Sequence, residues 1–331
     1  FECPPFPPGR RPLRWPAMTA AYAHAVLDHV HRVGGVDFLA DWTFDPTFLL
    51  PLLAAVLYFR GIRRYRRSGG KRFPRWRQAA FASGVAWSFV ALCSPVDTLA
   101  DWSFTWHMIQ HELLMSLAVP CILLGTPFLP VVRGLPEAFR RLVFIPFARS
   151  PAVQWTLKRA THPVAGLIAY AAATSLWHLP PLYDAALHND AIHLGEHFSF
   201  IVGATLFWWN VVTPYPFPSR SNVFLRVLLI VLSEVPNIAL SALITFSDQV
   251  MYGYKALPGF WGLSMLEEQT IGGLLMWVGF GATVRLVAAV AVLAAYAREE
   301  EAKEPWRRAR SAPVLPPPGR HQAQPRRVRA S

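Results

Sequence analysis

The sequence predicts an all-α, polytopic membrane bundle of about seven transmembrane helices, with its N-terminus outside and its C-terminus cytoplasmic. Three observations lead there. Long charge-free apolar runs recur along the 331 residues, the charged residues (16% of the chain against 53% hydrophobic) crowd into short stretches between those runs, and the basic ones fall in every second stretch. A soluble domain of this size carries about a quarter charged residues, whereas about 20 apolar residues in a row are what a bilayer-spanning helix needs.

Residues 1–43 read as an N-terminal tail, in which Pro- and Arg-rich residues 1–17 precede Met18, a candidate native start. The tail lacks an apolar core of signal-peptide length. The spans are expected at 44–62, 76–94, 104–124, 162–178, 191–213, 222–246 and 269–297, and together they make one membrane domain, 44–297. The first contains TFLLPLLAAVLYF and is the weakest, because its apolar run is short and holds Pro51. Segment 126–160 is apolar in patches but broken by Pro127, Pro130, Pro136, Pro146 and Pro151, the pattern of a loop with an interfacial helix. Residues 298–331 are basic and rich in Pro and Arg, and read as a disordered cytoplasmic tail.

Orientation follows from the basic residues, which concentrate in cytoplasmic loops. Nine Lys or Arg lie between Arg60 and Arg77, six in 125–161, two in 213–226 and nine from Arg298 onward. The alternate loops, 95–103, 179–190 and 247–267, hold only Lys255. Arg285 sits in the cytoplasmic half of the seventh span, where its side chain is expected to snorkel toward the interface. The net charge of +12 therefore implies a lipid bilayer as partner and no nucleic acid, since the basic residues flank the spans. Cys3, Cys93 and Cys121 are odd in number, widely spaced and form no CxxC or CxC pair, which argues against a disulfide framework.

Laying the histidines on this topology gathers them at one face. His107 and His111 stand in WHMIQHELLM at the outer end of the third span, His178 closes the fourth, His188 is in the loop after it, and His193 and His197 stand in HLGEH at the start of the fifth. Each i,i+4 pair places two imidazoles on one helix face. Two such pairs with His178 on a third helix could surround a metal ion, and imidazole suits copper, zinc, iron and nickel. Met108 and Met115 lie nearby on the third span and Met251 in the outer loop before the seventh, and thioether beside imidazole favours Cu(I). Glu112, Glu196, Glu267 and Glu268 could hydrogen-bond and orient the ligands. A single histidine near a helix end commonly only hydrogen-bonds at the interface; two HxxxH pairs on one face argue for a site. His24, His29 and His31 read as solvated tail residues and His162 as a helix cap. Glu234, Pro236 and Asn237 fall near the middle of the sixth span, where Pro236 should kink the helix and Glu234 must be paired or protonated. No GxSxG, HExxH or Walker motif is present, so no enzyme is expected.

At these residues the chain resembles a known family. HMIQHELLMSLAVPCILLGTP, WHLPPLYDAALHNDAIHLGEHFSFIVGATLFWW and WGLSMLEEQTIGGLLMW are similar to the signature segments of the bacterial caa3-type cytochrome c oxidase assembly factors, called CtaG in Bacillus-like bacteria, over about residues 46–300. The resemblance implies a seven-helix plasma-membrane protein that assembles a haem–copper oxidase of the respiratory chain, with oxidase subunits as partners and a role in copper supply. An unrelated one-span copper chaperone shares the CtaG name but carries a paired-Cys motif that this chain lacks. The expectation is a metallochaperone that binds copper at His107, His111, His178, His193 and His197, with Met108, Met251, Glu196, Glu267 and Glu268 as further candidates. Two alternatives stand beside it: a haem-binding membrane cytochrome, in which histidines of facing helices would ligate the iron, and a scaffold that binds no metal.

Overall fold

A computed structural model of the chain describes residues 42–69, 73–217, 221–254 and 263–311, together with a two-residue antiparallel ladder pairing Arg32–Val33 with Val36–Asp37. The other described residues are helices and their connections. Asp45 opens the first helix by accepting from the Thr47 amide at 2.7 Å, a 3₁₀ turn follows at Pro46–Phe48, and α1 then runs Leu49–Arg67. Pro51 lies in the first turn, where a missing N–H breaks no helical bond, so the weakest expected span is a continuous helix. α2 is Arg75–Cys93, α3 is the short Pro95–Ala100 and α4 is Phe104–Leu124.

Segment 126–160 differs from its expectation as a loop with one interfacial helix. It forms three helices: α5 (Phe128–Gly134), α6 (residues 137–149) and α7 (Pro151–Ala160). Most of the prolines that break it also start its pieces, since Pro127 and Pro136 are caps and Pro130 and Pro151 stand in first turns, while Pro146 lies inside α6 just past its π-helical stretch. Then come α8 (Pro163–Trp177), α9 (Pro180–His188), α10 (Asp190–Val212), α11 (Val223–Thr245) and α12, which starts at Met265 and continues as helix to Ser311. The last helix thus passes residue 298, where a tail is expected to begin; residues 298–304 are rich in Glu, Ala and Lys, good helix formers. His162 caps α8 as expected, its Nδ1 accepting from the Val164 amide at 3.3 Å.

Among the described residues four helices are long and apolar enough to cross a membrane: Pro46–Arg67, Phe104–Leu124, Val223–Thr245 and Met265–Arg298. α8 is apolar but has 15 residues, while α2 and α10 have 19 and 23 residues and are less apolar. α4 is the hub: 72% of its apolar window is buried, against 11–33% for the other three. Around it pack Phe200, Phe207 and Trp208 of α10, Tyr170 of α8 and Leu229 and Ile230 of α11. The middle of α4, Leu113–Ala118, is wound as a π-helix, and the Trp208 indole donates to the Met115 carbonyl in that stretch at 2.8 Å. Such stretches leave carbonyls off the regular ladder and recur at functional sites.

α1 and α2 run in opposite directions: Asp45 donates its amide to Leu92 at one end, and Tyr58 of α1 stacks on Phe81 of α2, with centroids 3.9 Å apart, toward the other. The bundle consequently has two unlike ends, one holding Arg64, Arg77 and Arg133 and the other the histidines. Between them lies a buried pair that corrects one expectation. Arg285 does not snorkel. Its guanidinium is buried inside the bundle, 2.5 Å from a Glu234 carboxylate oxygen and hydrogen-bonded to the Tyr170 hydroxyl. A carboxylate on the neighbouring helix offers a counter-charge that lipid would not, which also settles Glu234 as paired. Asn237, one residue after the proline of α11, donates to the Met276 carbonyl at 3.1 Å.

Candidate metal centre

α4, α8 and α10 bring together all five histidines singled out in the sequence. Asn189 caps α10 by accepting from the Ala191 and Ile192 amides, which sets the phase of the helix that follows. One turn apart on α4, the rings of His107 and His111 lie 4.3 Å apart by centroid; on α10, those of His193 and His197 lie 4.2 Å apart. Across the helices, His107 faces His193 at 5.4 Å and His111 faces His197 at 5.8 Å. His178, which ends α8, faces His111 at 6.3 Å. Glu196 sits between the α4 pair, with Oε2 4.0 Å from His107 Nε2 and Oε1 3.7 Å from His111 Nε2. One ligand atom from each of His107, His111 and Glu196 lies within 4.8 Å of the others.

Three of the rings have their free nitrogen assigned by the other one. Nδ1 of His107 lies 3.3 Å from the Ala100 carbonyl, Nδ1 of His178 lies 2.6 Å from the Thr174 carbonyl, and Nδ1 of His197 lies 2.7 Å from Asp45 Oδ2. Those oxygens can only accept, so each Nδ1 carries the proton and a neutral ring keeps its lone pair on Nε2. The Nε2 atoms of His107, His111, His193 and His197, Nδ1 of His111 and both Glu196 oxygens are buried without a hydrogen-bond partner. Buried polar atoms left so are costly, and among the described residues the ligand atoms close enough to share one cation are one nitrogen each from His107 and His111 and a Glu196 oxygen. His178 Nε2 points at Met108 Sδ, 3.4 Å away, so Met108 joins the group.

Other candidates do not join. Glu267 completes a capping box at the start of α12, accepting from the Ser264 amide at 2.7 Å and from its hydroxyl at 2.8 Å, and so faces away from the histidines. Glu268 lines a cleft with Trp102, Phe104, Tyr252 and Tyr254. Met251 packs beside Tyr183 and Tyr252 while its amide donates to Gln269, with no described contact to a histidine. Glu112 turns to Ser116, whose hydroxyl it accepts at 2.5 Å, because one residue past His111 its side chain leaves the histidine face. His188 is exposed on α9, its Nδ1 donating to the Asp184 carbonyl at 2.7 Å. His24, His29 and His31 lie outside the described residues.

Two residues at the site were not legible in the sequence. Asp45 has one oxygen on the Thr47 amide that starts the first helix and the other on His197, 152 residues away. Burial works against its charge, but the His197 hydrogen bond and the Thr47 amide together hold its carboxyl below the usual carboxylate range. Tyr183 is fully buried against the His107 ring, at 5.1 Å. Asp45 has a sequence signal in DPT, a helix start; nothing local links it to HLGEH.

A family model described as the cytochrome c oxidase caa3 assembly factor matches residues 56–299. The chain belongs to that family. No curated protein and no solved structure matches it. The assembly-factor segment contains every histidine of the cluster, and Glu196 and Met108 with them, but begins inside α1, past Asp45. Its role in oxidase assembly makes cytochrome c oxidase the associated enzyme, and the four apolar helices fit a lipid bilayer.

Proposed function

We propose that this assembly factor holds copper at His107, His111, His178, His193 and His197 and passes it to an oxidase subunit. The observation that carries the reading is that ligand atoms of His107, His111 and Glu196 lie within 4.8 Å of one another inside the protein, with the His193 and His197 rings, their Nε2 atoms unpartnered, packed against the α4 pair. A neutral imidazole with Nδ1–H tied to a carbonyl or carboxylate is oriented to ligate through Nε2. Imidazole donors suit copper, and the thioether of Met108 beside His178 favours its Cu(I) state. Glu196 supplies negative charge where a cation would sit, and Asp45 and Thr174 hold two of the rings in place. In this reading the protein spans the plasma membrane seven times, with α1, α2, α4, α8, α10, α11 and α12 as the spans. The histidine end faces outside and the arginine end the cytoplasm, as the basic loops require.

The haem alternative fits less well. The five rings pack against one another at centroid distances of 4.2 to 6.3 Å, so a macrocycle between α4 and α10 would have to push the helices apart. The experiment is metal content and absorption spectrum of the purified protein, with oxidase assembly measured in the membranes. His111→Ala and His197→Ala are expected to lose bound copper and assembled oxidase while still inserting, and His188→Ala to lose neither. A Soret band in the wild type would replace copper with haem. Normal copper and normal oxidase in both variants would leave the histidines as packing residues of a scaffold.

A further inference from the structure

At the opposite end of the bundle a second polar site is built from different residues. A cavity of about 280 Å³ opens between the end of α1 (Gly61, Ile62, Tyr65), the start of α2 (Phe73, Pro74, Arg77), α5 (Thr126 ahead of it, then Leu129, Pro130 and Arg133) and Tyr215. Among the described residues two guanidinium groups line it and no acidic residue does. The described stretches from which the lining comes, 60–69, 73–77, 125–136 and 213–217, contain no Asp or Glu. The described ion pairs of Arg141 and Arg285 are made elsewhere.

The two arginines are held in place. Arg133 lies over the Tyr65 ring, 4.5 Å from its centroid. Arg77 rests against Trp76 at 5.2 Å and donates one nitrogen to Thr126 Oγ1 at 3.3 Å, while its Nε is buried with no partner. Thr126 takes a left-handed backbone, φ 49°, which a β-branched residue adopts only under strain. Arg64 does not face the cavity; it donates to the carbonyls of Arg133 and Leu135 at 3.1 and 2.6 Å and so fixes α5 beside α1.

We propose that this cavity binds the phosphate of an anionic phospholipid. A guanidinium offers a planar fork of donors that matches phosphate oxygens. Two guanidiniums without a carboxylate, one with a buried unmatched N–H, need an anion bearing several acceptor oxygens. The remaining lining, Ile62, Phe73, Leu129 and Pro130, is apolar and suits the glycerol and acyl portions better than a free soluble anion. Its place at the arginine-rich end matches the interfacial depth of a headgroup, where basic pockets between helices hold anionic lipid.

The test uses the full chain purified in detergent and titrated with phosphatidylglycerol, with phosphatidylcholine and with inorganic phosphate, binding being read by native mass spectrometry. Phosphatidylglycerol should bind more tightly than phosphatidylcholine. Arg77→Gln and Arg133→Gln should each weaken it about tenfold, the loss expected for one charge-assisted hydrogen bond. Arg77→Lys, which keeps the charge, should lose less, and Arg66→Gln, on the exposed side of α1, should change nothing. Copper content should be unaffected in all four, which separates this site from the histidine cluster. Equal binding of the two lipids, or unchanged phosphatidylglycerol binding in both glutamine variants, would overturn the proposal. Inorganic phosphate binding that is lost in the variants while phosphatidylglycerol has no advantage over phosphatidylcholine would assign the cavity to a soluble anion and overturn the lipid assignment.

Discussion

Asp45 is the residue whose role depends most on distance in sequence. It caps the first helix with one oxygen and accepts the hydrogen bond of His197 Nδ1–H with the other, so a single carboxylate ties the start of α1 to α10. Asp45→Asn keeps the size and a cap acceptor but removes the charge that orients the ring. Under the copper reading it should lower copper affinity about 10- to 100-fold, the usual effect of removing a group that orients a metal ligand, while the protein still inserts. Copper competition against a calibrated chelator measures this, and affinity equal to wild type would make the Asp45–His197 bond structural only. Glu267 makes the opposite case. Ser264-Met-Leu-Glu267 is a capping-box pattern written in the sequence, and that local role outweighs its proximity in depth to the histidines.

At the scale of elements, helix pairing relies on close backbone approach. Gly61 of α1 and Gly134 of α5 sit where an added Cβ would overlap the carbonyls of Pro130 and Leu57, so each helix occupies the space the other's side chain would need. Gly134→Ala should therefore destabilise the fold by about 1–3 kcal/mol, as overpacking does, seen as a lowered unfolding temperature in detergent. Because α5 carries Pro130 and Arg133 of the lipid cavity, the same change should also weaken phosphatidylglycerol binding; an unaltered unfolding temperature would show that α5 can shift without cost. The HxxxH pairs are legible at this scale because an i,i+4 spacing is a property of one helix. The division of 126–160 into three helices is less so, since proline marks a break and a helix start equally well.

For the molecule as a whole, the two unlike ends lead to a topological prediction. Single cysteines at Ser68, beside the arginine cluster, and at Asn189, beside the histidines, should differ in intact cells: an impermeant thiol reagent should label position 189 and not position 68. Labelling at 68 alone would turn the protein over, put the histidines in the cytoplasm, and remove the outer-face reading of copper delivery. The same experiment counts spans indirectly, since an even number between the two positions would place them on one side.

By itself the sequence determined the helical membrane class, the positions of the long helices to within a few residues except at the C-terminal ends of α1 and α12, the family, and the placing of each HxxxH pair on one helix face. These depend on local quantities: apolar run length, charge placement and helical period. The tertiary structure decided what depends on contacts between distant segments. It chose Glu196 over Glu112, Glu267 and Glu268 as the carboxylate among the histidines, brought Asp45 to His197, turned Arg285 inward to Glu234, and set Arg77 and Arg133 around one cavity. Periodicity shows which residues share a face of a helix, but not which faces meet. That is settled by close packing and by the need of each buried charge or hydrogen-bonding atom for a partner.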